Sequence, residues 1–475
     1  MFICKRIFWL VLLTIGFFGC KTPQVVDQNS TLNLPAAYAG LADSANTANI
    51  RWSQFFTDPY LVRLIDTALH HNRELQIVLK EIAIASNEVG VKNSLLFPKV
   101  GVSVGTGLEK VGRYTSQGAG DASTEIIDGK EVPDPLADFA VAGVANWEVD
   151  IWRKLHNSKR SAFSRYLSTV EAKNFVLTQL VSEIANTYYE LLALDSQQEI
   201  VEENITVQTN ALKVVRAQKD AGRTTEMAVK KLHAELFKSQ SLVFDIQQQI
   251  VEAENKLNLL IGHLPQHIAR SQSSIIDLQP SLVVGGLPAQ LLTNRSDIKQ
   301  AEQELNAAKL DVKIAKAEFY PSLEISAVLG LQAFKPSYLF KLPESVLYSL
   351  VGDLAGPLIN RAAIKAEFAN ANAKQLQALY NYEKTVLNAY LEVSNRLSAV
   401  NNIGKAYEVR SKQVDELNQS VSIANDLFQS ARVDYFEVLM TQRDALEAKL
   451  ELIETKKNQF IAVVNVYEAL GGGWK

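Results

Sequence analysis

The sequence predicts an α+β chain built from one duplicated unit, each copy a long α-helical hairpin joined to two β-strands of membrane-spanning length. Three observations carry that prediction. The chain matches itself: Gly222-Arg223 falls on Ala431-Arg432 and Leu260-Ile261-Gly262 on Ala469-Leu470-Gly471, both at an offset of 209 (431 − 222 and 471 − 262). Self-similarity at this scale marks one structural unit used twice. Two long stretches, about Lys154 to Asp220 and Arg361 to Ser430, contain no Pro, and in the first Leu177, Leu180, Ile184, Leu191 and Leu194 step along one seam. Four short stretches alternate apolar with small or polar residues, the period of a two-faced strand. Phe97-Pro98 falls on Tyr320-Pro321 at 223 (320 − 97), so the first copy holds 14 extra residues (223 − 209) between its Pro and its Gly-Arg turn.

Taken in order, Met1 to Cys20 has the pattern of an export signal, expected over 1–19: Lys5 and Arg6 are followed by the apolar run Ile7 to Phe18 and then Gly19-Cys20. This resembles a bacterial lipoprotein signal with Phe17 in the usual Leu place, which makes Cys20 the expected lipidation site. Lys21, rather than Asp, after the Cys favours the outer membrane and its lipid. Cys4 would leave with the signal, so no disulfide or thiol site is expected. Residues 20–50 are polar and small, with Pro23 and Pro35, and read as a lipid-anchored tether.

Asp58 and Pro59 are an N-cap and first helical residue, and Leu61, Leu64, Ile65, Ala68, Leu75, Val78 and Ile82 predict one helix to about Lys92, roughly 33 residues. Next, Val100, Val102, Val104 and Leu108 oppose Gly101, Ser103, Gly105 and Gly107, a half-buried strand. A long polar loop is expected over Gly112 to Asp138, then a returning strand over Phe139 to Val149. The second copy repeats this with Leu323, Ile325, Ala327, Leu329 and Leu331, and a weaker strand from about Val346 to Leu354. Strands of about ten residues span a bilayer when tilted, and these have one apolar face for lipid and one small, polar face for a lumen. No other apolar run is long enough for a transmembrane helix.

Four strands do not close a barrel, two copies would fill theirs with side chains, and three copies give twelve strands and an opening. A pore therefore requires a homotrimer. Each long helix turns at its Gly/Ala-Arg element and returns, and Leu439, Leu446, Ile453, Phe460 and Tyr467 fall at sevens, a coiled-coil period. The expected division is 51–265 for the first repeat, 266–288 for a linker and 289–475 for the second repeat.

The net charge of −4 and pI near 6.0 give no basic footprint for nucleic acid or for an anionic membrane surface, and a nucleic-acid partner is excluded on that basis. No cofactor, metal or catalytic group is expected. Glu148 and Asp150 lack a convergent third group, His263 and His267 have Pro265 between them, and no phosphate loop, nucleophile elbow or CxxC pair occurs. The energy for any transport must come from a partner.

From about Trp52 to Trp474 the chain resembles the TolC-like outer-membrane efflux family, in particular its lipoprotein branch that serves proton-driven drug and metal pumps. The resemblance lies in Trp147-Glu-Val-Asp-Ile-Trp152, Lys256-Leu-Asn-Leu-Leu-Ile-Gly262, Gly286-Leu-Pro288 with Arg295-Ser-Asp-Ile298, Ala317-Glu-Phe-Tyr-Pro-Ser-Leu323, Val433-Asp-Tyr-Phe-Glu-Val-Leu439 and Leu470-Gly-Gly-Gly-Trp474. It implies a trimer with a twelve-stranded barrel and a helical periplasmic tunnel (an α-barrel), docked on a periplasmic adaptor protein and an inner-membrane pump. Arg153 stands where the family has glycine, and Ile359-Asn-Arg-Ala362 where it has Phe-Asp-Gly-Gly. Just after the second turn the family often carries two acids, which narrow the closed tunnel. Here Glu437 is kept and the second is Met440. The expectation is a tunnel constriction in which Phe436 and Met440 are apolar and Glu437, Asp434 and Arg443 form a charged network that holds it shut. The alternatives are a conduit for type I protein secretion and a lipid-tethered coiled coil without a pore.

Overall fold

A computed structural model of the chain describes residues 30, 32–38, 45–356, 362–430 and 432–474. The export signal, Cys20, most of the tether, Ile359 to Arg361 and Ala431 lie outside the described residues. The elements run α1 Pro59–His71, α2 Arg73–Ser94, β1 Lys99–Glu109, α3 Ser116–Asp121, β2 Glu125–Ile127, β3 Lys130–Glu131, β4 Leu136–Val149, α4 Lys154–Asp220 and α5 Glu226–Leu260. The second copy follows as α6 Ser296–Ala317, β5 Ser322–Ala333, β6 Val346–Ala355, α7 Ala362–Gln429 and α8 Tyr435–Ala469. Single helical turns, Trp52–Phe55 and Leu291–Asn294, precede α1 and α6.

The duplication is visible element by element. α2 and α6 are both 22 residues long, α5 and α8 both 35, and α4 and α7 are 67 and 68. Each hairpin turn closes the same way. Gly222 at φ +72 ends α4, and Arg223 N–H donates to Gln218 O at 2.8 Å, a Schellman closure. In the second turn Arg432 N–H donates to Leu427 O at 2.9 Å. The returning helices end alike, on Gly262 at φ +74 and Gly471 at φ +84, where any Cβ would strike the carbonyls of His71 and Asn294.

The expected single helix after Asp58 is instead two. Asp58 caps α1 as anticipated, its Oδ1 accepting from Tyr60 N–H at 2.8 Å. At Asn72 the backbone turns extended (φ −60, ψ 128). The Asn72 side chain donates to Leu260 O and accepts from Leu75 N–H, both at 2.8 Å, so it ends one helix, caps the next and satisfies the free carbonyl closing α5. The apolar period runs through the break undisturbed, because the break is made by a tertiary contact. The loop expected over Gly112 to Asp138 also holds structure: α3, capped by Thr115, and the β2–β3 hairpin, with β4 starting earlier than Phe139, at Leu136.

The described residues divide into two compact units, each drawing on both repeats: 84–166 with 303–379, and 30–83 with 167–302 and 380–475. The first contains the antiparallel sheet β1-β4-β5-β6 and a small cluster of Val312, Phe319 and Phe368. The second holds the main core, in which Phe55, Leu61 and Ile65 meet Leu180, Ile184, Leu191, Leu257, Ile453, Phe460 and Tyr467. Leu180, Ile184, Leu191 and Leu194 of the first predicted seam and Leu446, Ile453, Phe460 and Tyr467 of the second lie there, while Leu439 belongs to a cluster at the turns. Tyr467 stacks on Phe55 at 4.2 Å and Phe460 on Tyr189 at 4.5 Å. Among the described residues no helix is long and apolar enough to cross a membrane.

Candidate channel surfaces

Strand register decides what the sheet presents. Val104 pairs with Val141, Val141 with Leu331, and Leu331 with Val346. Two residues along, Val102, Gly143, Leu329 and Tyr348 align, and two further on Val100, Ala145, Ala327 and Leu350. Most of the apolar residues of the four strands thus share one face, with Val144, Val328, Leu347 and Val351 on the other, because side chains alternate and a one-residue slip would scatter them. That face is bare: Val102 is 79% exposed and Tyr348 82%. The opposite face carries Ser103, Ala142, Asn146, Ser326, Gly330 and Gln332, tied by Ser326 to Asn146 at 2.9 Å and Gln332 to Asp138 at 2.8 Å. At its end next to the helices Glu148, Glu324 and Asp353 pair across three strands, with Lys154 on Glu148 at 3.6 Å.

Asp150 follows β4 and caps α4, its Oδ1 and Oδ2 accepting from the backbone N–H groups of Leu155 and His156. Burial pushes its carboxyl up, but the His156 ring and those N–H groups outweigh it and hold the pKa below the ordinary value. Trp152 stacks on Tyr320 at 4.6 Å and donates to Pro321 O at 2.8 Å. Arg153, between them and the helix, is at φ +58, the conformation that suits glycine.

At the hairpin turns, Leu212 and Val215 of α4, Val229, Leu232 and Leu236 of α5, and Tyr435, Val438 and Leu439 of α8 form one buried cluster. The predicted constriction residues occupy the open side of α8. Phe436 and Glu437 are exposed and Met440 half-buried. Asp434 is the N-cap of α8, accepting from Phe436 N–H at 2.8 Å. Arg443 pairs with its neighbour Asp444 at 3.2 Å. Within one chain Asp434, Glu437 and Arg443 therefore do not join in a single network. Phe436 instead lies under Lys231 of α5, 4.5 Å from ammonium to ring centre, a contact that spacing along the sequence gave no means of finding.

Sequence reasoning also missed a charged hub. Arg295 donates to Ala469 O at 2.8 Å and binds Asp297 at 2.7 Å and Glu392 at 2.8 Å. Burial works against the guanidinium charge, and these two carboxylates outweigh it, so it stays protonated. Nearby, burial and then the charge of Glu392 push Glu468 up to about 7, against the pull of Arg396 and Arg295. Lys456 is buried beneath Tyr407, 4.7 Å from its ring. Among the described residues no group of His, Cys, Asp and Glu is placed to hold a metal ion.

A four-stranded sheet with a lipid-type face and a polar face, joined to paired helical hairpins, defines the class of outer-membrane channel proteins with helical extensions. The family model described as outer membrane efflux protein matches residues 64–263 and 287–472, and the chain belongs to that family, whose members are transport conduits of the outer membrane. It is 28% identical over 447 residues to the solvent efflux pump outer membrane protein SrpC of Pseudomonas putida, covering 92% of this chain and 91% of that one. It is 25% identical over 423 residues to the probable outer membrane lipoprotein SilC of Salmonella typhimurium, covering 89% and 88%. The fold matches the open state of the Neisseria gonorrhoeae MtrE outer membrane channel with a TM-score of 0.84 at 19% identity, covering 96% of this chain and 98% of that one.

Proposed function

We propose that three copies of this chain form one passive conduit through the outer membrane, carrying small molecules delivered by a periplasmic adaptor and an inner-membrane pump. The observation that carries this reading is the register-aligned apolar face, opposed by a polar one, in a sheet whose outer strands β1 and β6 each have one edge unpaired among the described residues. Joining β6 of one copy to β1 of the next removes those edges, and three such joints make twelve strands around an open lumen. The carboxylate row Glu148, Glu324 and Asp353 then gives the lumen a preference for cations. Residues 51–265 and 289–475 serve as the two repeats, with 266–288 linking them. Likeness to a protein named as part of a solvent efflux pump supports the pump partnership, and likeness to SilC supports anchoring through Cys20. Phe436, Glu437 and Met440, with Asp434 and Arg443 behind them, form the narrow mouth, held back on each chain by Lys231 over Phe436.

The test is reconstitution. The purified protein is expected to have a trimeric mass in detergent and to conduct ions in a planar bilayer with cation preference. Phe436→Ala and Glu437→Ala are expected to raise conductance and lower that preference respectively. A monomeric mass without conductance would leave a tethered coiled coil, and unchanged conductance and selectivity in both variants would remove the gate from the account.

A further inference from the structure

Between Asp150 and Glu171 the sequence has no acidic residue, yet it carries Arg153, Lys154, Lys159, Arg160 and Arg165 along with His156. That run opens α4, where positive charge opposes the helix macrodipole. A helix start that breaks this rule, with several of its bases left unpaired, marks a surface kept for something else. Three carboxylates beside the run are already taken, Glu148 by Lys154, Asp150 by His156, and Asp311 by Arg165 and Ser161, while Glu318 near Lys154 is hydrogen-bonded to Glu367. Arg153, Lys159 and Arg160 have no ionic partner among the described residues. Arg153, which directly precedes the helix, and His156 and Arg160, four apart on one side of it, are exposed, and Lys159 is half-buried. The second copy is sparser in sequence, with only Arg361 and Lys365 before the acid Glu367.

The place matters as much as the charge. β4 ends with Val149 on the apolar face, and exposed Ile151 and Trp152 follow, the indole stacked on Tyr320. Such amphipathic rings settle where acyl chains give way to headgroups. Arg153 is the next residue, and Arg160 is about 10 Å further along the helix axis, near headgroup depth. We propose that Arg153, Lys159 and Arg160 seat the phosphates of anionic phospholipids in the periplasmic leaflet and so fix the depth of the barrel end in the bilayer. This rests on the reading of the apolar sheet face as lipid-facing.

The trimer in detergent, mixed with equal amounts of phosphatidylglycerol and phosphatidylethanolamine, is examined by native mass spectrometry. The unaltered protein is expected to retain phosphatidylglycerol preferentially, and R153Q/K159Q/R160Q to lose that preference by about tenfold or more while staying trimeric and conducting. No preference in the unaltered protein, or the same preference in the variant, would overturn the proposal. So would a variant that falls to monomers with its phosphatidylglycerol per chain unchanged, because the face would then meet a neighbouring copy. An unaltered chain that fails to conduct in any bilayer would refute the underlying lipid-facing reading instead.

Discussion

Asn72 and Arg295 occupy the same place in the two copies, 223 residues apart (295 − 72), and each donates at 2.8 Å to the carbonyl that ends its returning helix, Leu260 or Ala469. The first copy does this with a neutral amide. The second uses a buried guanidinium that also holds Asp297 and Glu392. One residue before those carbonyls the contrast deepens: the first copy has Leu259, 74% exposed, and the second has the half-buried carboxyl of Glu468. The backbone problem is fixed by the fold, while the chemistry that solves it is free to diverge. The second copy therefore adds a buried guanidinium and a half-buried carboxyl where the first has Asn72 and Leu259, although Glu74 and Glu183 of the first copy stand at the places of Asp297 and Glu392.

That contrast predicts unequal costs. Arg295→Ala leaves carboxylates without their partner and is expected to destabilise the protein by about 3–5 kcal/mol. Asn72→Ala removes neutral hydrogen bonds and costs about 1–2 kcal/mol. Urea midpoints in detergent would compare them, and equal losses would break the distinction. Glu468 sharpens it further. Its folded pKa lies above the ordinary value, so the fold binds the proton more tightly than the unfolded chain does. Its favourable contribution is complete below the ordinary carboxyl pKa and is lost as pH rises to about 7. Glu468→Gln is expected to flatten that decline and add about 3 kcal/mol at pH 8, with little change at pH 4. The smallest effect belongs to Arg153→Gly, which relieves the left-handed backbone at φ +58 and gains about 1 kcal/mol in the same urea measurement.

Most of the architecture was legible because it is periodic. The seven-residue spacing from Leu439 to Tyr467 and the alternation from Val100 to Leu108 each report a face, and a face needs no knowledge of what covers it. The offset of 209 located both turns and both returning-helix ends, and that of 223 the Pro before each first strand. What the sequence hid was set by distant partners. Asn72 breaks a helix because Leu260, 188 residues away, offers a carbonyl. The short run His70-His71-Asn72 was the available signal, weak beside the apolar period around it. The Gly-rich composition of Gly112 to Asp138 masked α3 and a hairpin, although Thr115 caps the helix in the ordinary way. At the second turn Phe436 and Glu437 lie on the open side of α8, and within one chain Asp434 caps that helix and Arg443 meets Asp444.

The central claim is that the two faces of the sheet meet different solvents, and cysteine scanning tests it directly. Cysteine occurs only at positions 4 and 20, so single substitutions along the strands have no competing thiol in the barrel. In protein reconstituted into bilayers, Ser103→Cys and Ser326→Cys are expected to react with a charged, water-soluble maleimide, while Val102→Cys and Ala327→Cys are spared. Equal labelling at neighbouring positions, or labelling of Val102→Cys and Ala327→Cys alone, would contradict the account.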